Sequence, residues 1–447
     1  MLKALCIFFL IFLSSLLQAQ VIGKIEVLGN KKTRTEVITR EMRLKIGSIA
    51  DSASIELDRR KIESLGLFDK VDATFRDSTL KITVDERWFI WPVPEVFNAE
   101  NSFTFSKFKN IFTSWNGLAE EKVTLKLSLK HTNFRGNNEK LSASVSLGYN
   151  AGYELFYLIP WLTDKKLILQ TMLFRRTLEV ESEFDNSWQP LNLSSLKTLE
   201  QGGFLTLGRQ IGFDHKIFAG VGYRNVQSQK DEPIKDIFLS PKENDKLPSL
   251  LLSYIFDTRD LIFYPNKGIY FESTFQRIGL TSTTANYWKS FVDARYFFPI
   301  SKHQTLGFHI LSQNSKGKVP VYDRYVLGSI YTVRGHFRDQ RDGEQLFLTS
   351  IAYRFPILKT KHYKVRSFDF SEDYTDNFKF GISGELFFDS GDAWYQDSQR
   401  PNSFSDLQKG FGFGLNFHIP YREVIRTEFA FDEKFKFEFL LGIFVSF

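Results

Sequence analysis

Cysteine is almost missing from this chain: 447 residues hold one, Cys6, and it falls in an N-terminal apolar segment. Residues 1–20 read as a secretory signal, with Lys3, an apolar stretch from Ala4 to Leu13 and cleavage expected after Ala19. The mature chain would then carry no cysteine, which excludes disulfides, thiolate catalysis and Cys-ligated metal. Long hydrophobic runs are also lacking. After the signal no run of about eighteen apolar residues occurs, which excludes membrane-spanning helices. Charge of one sign is not concentrated either: the net charge of +6 is spread along the chain. No basic cluster with interleaved aromatics suggests a nucleic-acid groove, so no nucleic-acid partner is expected.

What the chain has is phenylalanine, 47 of them in a composition that is 16% aromatic, together with a mean hydropathy of only −0.22. Alternation explains the pairing of these values, because a strand with one greasy face and one polar face averages to neutral. Closed barrels built from such strands are the other structure that satisfies every backbone group inside a bilayer. The final stretch is the clearest case. Phe435, Phe437, Phe439, Leu441, Ile443, Val445 and Phe447 share one parity, and residues two apart on a strand share a face. The same alternation recurs in Val123–Leu129, in Leu141–Leu147, and in Phe380, Ile382, Leu386 and Phe388 against Gly381, Ser383, Glu385 and Asp389.

Sixteen strands are expected, near 89–98, 122–132, 139–149, 152–159, 165–177, 201–213, 215–227, 249–258, 268–278, 287–298, 304–314, 345–355, 379–389, 409–419, 423–431 and 435–447. Short turns alternate with long polar connections at 178–200, 229–247 and 316–343, as in outer-membrane barrels. Pro92 and Pro94 would break an interior strand, so the first strand is expected at a barrel edge. An even count agrees with both ends of the barrel chain lying on one side.

Residues 21–87 have a different texture, that of a small α+β domain in the order β-α-α-β-β. VIGKIEVLG alternates as a strand. Thr33 or Thr35 would cap a first helix with Val37, Ile38, Met42 and Leu44 inward. Ser52 or Ser54 would open a second, with Ile55, Leu57, Ile62 and Leu65 inward, before strands around Asp77-Ser78. IEVLGNKKT at the start, LGLFDKV after the second helix and a closing VDE resemble a POTRA domain, the periplasmic module of outer-membrane insertases. The resemblance implies binding of client chains by strand addition at a sheet edge.

Within connection 316–343 lies Val333-Arg334-Gly335-His336-Phe337, and Phe387-Phe388-Asp389-Ser390-Gly391 closes a later strand. Asp389 has the parity of the interior, where a carboxylate requires a cationic partner and arginine's planar fork suits it. A V-R-G stretch followed by F-x-D-x-G is similar to the BamA/TamA/Sam superfamily of POTRA-bearing outer-membrane barrels. Asp257-Thr258-Arg259-Asp260 with Tyr264-Pro265-Asn266-Lys267-Gly268, Tyr353-Arg354-Phe355-Pro356 and Asn133-Phe134-Arg135-Gly136 extend the resemblance over the mature chain. It implies a loop folded into the lumen with Arg334 on Asp389, Gly335 permitting the tip, and Glu385 as a second partner on the same face. His336 departs from the family pattern, which has Phe or Tyr there; Phe337 follows it.

The resemblance implies a short, single-POTRA outer-membrane protein that inserts client barrels through a seam between first and last strands, with Phe439 and the terminal Phe447 on the closing strand. The alternative is a translocator of the two-partner type that secretes one polypeptide. Expected partners are unfolded outer-membrane clients, outer-membrane lipid and accessory assembly proteins at the POTRA domain. No catalytic, cofactor-binding or metal-binding residues are expected: none of His131, His215, His303, His309, His336, His362 and His418 adjoins a serine nucleophile motif, and Asp369, Glu372, Asp373 and Asp376 read as solvated loop charge.

Overall fold

The computed structural model describes residues 21–98, 109, 113–114, 117–120, 123–163, 166–179, 197–229, 237–280, 284–328, 331–337, 339–363, 378–396, 403–419 and 424–443. The signal segment 1–20, the acidic stretch from Asp369 to Asp376 and Phe447 lie outside them. The chain divides into two compact units, one up to Arg87 and one from Trp88 onward.

The first unit contains β1 (Lys24–Leu28), α1 (Thr35–Thr39), α2 (Ser52–Glu63), β2 (Phe68–Arg76) and β3 (Thr79–Glu86). Its sheet has the order β1-β3-β2, with β1 parallel to β3, so β2 is an edge. Asp77 and Ser78 both adopt positive φ, 48° and 60°, as a tight hairpin between β2 and β3 requires. Ile38, Met42, Ile62, Leu67, Phe68, Leu80 and Ile82 are fully buried and make the core. Two details differ from expectation. α1 is a single turn with no side-chain cap, because the amides of Lys32 and Thr33 are taken by the Glu86 carboxylate instead. α2 begins at Ser52 but is capped by Asp51, whose Oδ1 accepts the Ser54 amide at 2.8 Å.

A buried aspartate stiffens this unit. Asp58 is 1% exposed, and its two carboxylate oxygens accept the amides of Arg43 and Leu44, each at 2.9 Å. Those amides follow α1 and have no helical partner, so Asp58 replaces the water they would otherwise need. Burial pushes the Asp58 carboxyl above its usual range.

The second unit is a sheet of sixteen strands, every neighbouring pair antiparallel. They are β4 (Ile90–Asn98), β5 (Val123–Phe134), β6 (Glu139–Gly148), β7 (Gly152–Ile159), β8 (Leu167–Glu179), β9 (Lys197–Ile211), β10 (His215–Ser228), β11 (Asn244–Asp257), β12 (Gly268–Ile278), β13 (Tyr287–Ser301), β14 (Gln304–Gly317), β17 (Gln345–Tyr363), β18 (Phe378–Trp394), β19 (Gln408–His418), β20 (Ile425–Asp432) and β21 (Phe437–Ile443). The order follows the chain from β4 at one end to β21 at the other, with a small hairpin, β15 (Tyr325–Leu327) and β16 (Arg341–Gly343), set apart in the β14–β17 connection.

The two faces differ sharply. Leu127, Leu129, Val145, Leu147, Leu173, Leu252, Leu386, Phe439 and Leu441 stand exposed on one face. The inner face carries buried polar residues, among them Ser128, Ser144, Glu200, Asp293, His309, Glu385, Asp389 and Glu428. Pro92 and Pro94 sit within β4, opposite Leu129 and Leu127, at the end of the strand order where missing N–H donors cost least. The terminal strand starts later than its alternation suggests, at Phe437. Phe435 has φ of 60° and belongs to a turn in which Asp432 Oδ1 takes the amides of Lys434 and Lys436.

Candidate functional site

The connection between β14 and β17 is held at its base before it reaches its tip. Val319 and Val321 join an apolar cluster with Val226, Leu247, Ile278 and Tyr287. The short turn Val321–Asp323 then presents Asp323 to Arg224 Nη2 at 2.8 Å, to Lys289 Nζ at 3.1 Å and to the Tyr287 hydroxyl at 2.5 Å. Two cations outweigh the burial of this carboxyl and hold it well below the usual carboxylate range. Within the β15–β16 hairpin, Leu327 of β15 and Val333 of the connecting segment are fully buried against Leu311, Leu346 and Leu348.

Val333 to His336 forms the tip, closed by the His336 amide donating to Val333 O at 2.9 Å. Gly335 has φ of 102°, and a Cβ there would lie 2.8 Å from the main-chain O of Phe431. The tip therefore rests directly on the backbone of β20, at a distance only glycine allows.

Arg334 is buried and fully engaged. Its Nε and Nη2 reach the two oxygens of Asp389 at 2.6 Å each, a bidentate fork on β18. Nη1 donates to Glu385 at 2.9 Å and to Glu428 of β20 at 2.7 Å, and the backbone amide adds a bond to Asp389 at 3.2 Å. The guanidinium lies over the Phe387 ring, 3.6 Å from its centroid. Burial works against its charge, but Asp389, Glu428 and Glu385 outweigh that and push its pKa further above the ordinary arginine range. Arg426 Nε, 3.1 Å from Glu428 Oε2, supplies a second cation to the cluster.

Three contacts at this tip were not read from the sequence. Glu428 completes the arginine's surroundings. Glu438 of β21 accepts the amides of Gly335 and Phe337, both at 3.1 Å on one oxygen. Glu433, in the β20–β21 turn, lies 2.7 Å from His336 Nε2, which is also 3.0 Å from Lys409 O. Both of those partners are acceptors, so Nε2 carries the proton. His336 thus occupies a polar niche, while Phe337 is half-buried beside it. The only advance signal for Glu428 and Glu438 is their parity, opposite to Phe429, Phe437 and Phe439; Glu433, in the turn, carries no such signal. Glu428, Glu433 and Glu438 tie the tip to the closing hairpin of the sheet, and a cavity of about 1000 Å³ lies between that hairpin, Arg334 and His309. Phe439 is on the other face of β21, exposed, and Pro92 and Pro94 belong to β4 rather than to this cluster.

Two family models match this architecture: the Omp85 superfamily domain over residues 133–445, and the POTRA model, surface antigen variable number repeat, over residues 20–87. The chain belongs to the Omp85 superfamily. Solved Omp85-like structures share its fold at low identity. BamA from Haemophilus ducreyi lacking POTRA domains 1–3 superposes with a TM-score of 0.53 at 14% identity, covering 94% of this chain and 82% of that one. CdiB from Escherichia coli gives 0.56 at 11% identity, over 94% and 74%, and CdiB from Acinetobacter baumannii 0.52 at 14%, over 95% and 73%. The Omp85 chain described here thus combines one POTRA unit with a sixteen-stranded barrel-like sheet.

Proposed function

We propose that this Omp85 chain assembles client β-barrel proteins at the bacterial outer membrane, with its POTRA unit in the periplasm, by letting client strands enter a seam between β4 and β21. The observation that carries the reading is the fastening of the Arg334 tip to β18, β20 and β21 together. A loop bonded to the edge strand itself can govern whether that strand accepts a new neighbour. Release of the tip breaks the two hydrogen bonds that Glu438 accepts from the Gly335 and Phe337 amides and frees the hairpin to move.

Two further features support it. β4 carries Pro92 and Pro94, which donate no hydrogen bond and weaken the pairing that would hold the seam shut. β2 is an edge of the POTRA sheet and can take an added strand from an unfolded client or an accessory assembly protein. The work required is strand exchange in contact with lipid, for which no nucleophile, metal or cofactor is needed. Depletion of the protein followed by proteomics of the outer membrane and the medium tests the reading. Loss of several barrels supports assembly. Loss of one exported polypeptide with intact barrels would establish a translocator instead.

A further inference from the structure

At the end of the sheet opposite the long loop, the β11–β12 connection from Asp257 to Gly268 is built as a rigid knot. Arg259 forks onto Asp257 at 2.9 and 2.8 Å, and Asp260 Oδ1 takes the amides of Leu261, Asn266 and Lys267. The knot does not stay beside its own strands. Asn266 O accepts the hydroxyl of Thr305 on β14 at 3.3 Å, and Pro265 O accepts Arg354 Nη2 of β17 at 3.0 Å. The Tyr264 ring meets His418 of β19 edge-on, 4.6 Å between centroids, and His418 Nε2 is 2.9 Å from the Ser383 hydroxyl of β18.

In the strand order β19 is five strands beyond β12. At a spacing of about 4.8 Å per strand that is roughly 24 Å along the wall. Side-chain contact over that separation means the turn cuts across the curved inner face. Arg354 clamps it: the guanidinium is buried between the rings of Tyr264 at 4.8 Å and Phe297 at 5.1 Å, and its Nε and Nη1 have no hydrogen-bond acceptor among the described residues. Arg354 is also the register partner of Glu385, the residue that holds Arg334 Nη1. The loop tip from one end and Tyr264 from the other end thus converge on one strip of β17 and β18.

We propose that the Asp257–Gly268 turn is a second plug, with Tyr264 as its wedge and Arg354 as its clamp, closing the interior at the end opposite the Arg334 loop. Opening the lumen then requires two releases, whichever way a polypeptide is handled. The test uses the full chain with Cys6→Ser and a reporter Ser350→Cys on the inner face of β17, reconstituted in lipid vesicles, with maleimide added on the short-turn side. Tyr264→Ala is expected to raise the labelling rate at least tenfold, and Tyr264→Phe, which keeps the ring, to leave it unchanged. Arg354→Met provides a second route to the same release should Tyr264→Ala fail to show the heat-modifiable mobility of a folded barrel. In planar bilayers Tyr264→Ala combined with Arg334→Ala is expected to conduct at least tenfold more than either change alone. Folded Tyr264→Ala and Arg354→Met with wild-type labelling, or a double variant no more conductive than Arg334→Ala, would overturn the second plug.

Discussion

Replacing Arg334 with alanine removes the cation shared by Asp389, Glu385 and Glu428, three carboxylates that are each at most 2% exposed. Breaking one buried ion pair by deleting a partner costs about 3–5 kcal/mol, because the remaining charge is left uncompensated. Here one deletion affects three carboxylates, and Arg426 stands beside one of them, Glu428, so the upper part of that range applies. The sixteen-stranded ladder does not depend on this residue, and the cost is expected to appear as release of the tip rather than as unfolding. At a factor of ten per 1.4 kcal/mol, the released population rises roughly several-hundred- to several-thousandfold. Amide exchange at Gly335 and Phe337 reads this directly, since both amides are held by Glu438. Arg334→Lys should fall between, having lost the fork onto Asp389 and the planar stacking on Phe387. Unchanged exchange at the tip in Arg334→Ala would mean that the Arg334 cluster does not hold the tip in place.

Gly335→Ala forces a Cβ to 2.8 Å from Phe431 O at φ of 102°, and the same two amides should lose protection although no charge is altered. In the POTRA unit, Asp58→Asn turns an acceptor into a donor facing the Arg43 or Leu44 amide; about 1–3 kcal/mol of local stability should disappear, read by exchange in residues 43–63 of the intact chain. Glu56 is held down to about 2, first by its hydrogen bond from Arg59 and then by Arg60. A depressed carboxyl contributes stability above its unfolded value near 4.5 and loses it as the pH falls towards 2. Protection of α2 should therefore decline across that window, by less than about 1 kcal/mol for so exposed a pair, and Glu56→Gln should flatten the decline.

The strands were legible because the outer face is uniformly apolar, so period two survives from β5 to β21. Where that face ends, the pattern misleads: Phe435 keeps the parity of Phe437 yet sits in a turn closed by Asp432, because local amide capping outweighs alternation there. Arg334 and Asp389 stand in recognisable motifs. Glu428 and Glu438 do not, since a glutamate on the polar parity of a strand looks the same whether it meets water or a loop about a hundred residues away in sequence. Thr33 likewise resembles a helix cap, and only the distant Glu86 carboxylate explains why it is not one. Long-range polar partners are set by how the connections fold over the inner face, and no local period encodes that.

Under the proposed function, client strands enter at the seam between β4 and β21. One cysteine in β4 and one in β21, with Cys6 removed, allow that seam to be closed by oxidation in the intact protein and reopened by reduction. The closed form is expected to lose assembly of client barrels, reduction to restore it, and a stalled client to crosslink to both strands. Full client assembly with the seam quantitatively closed would contradict it.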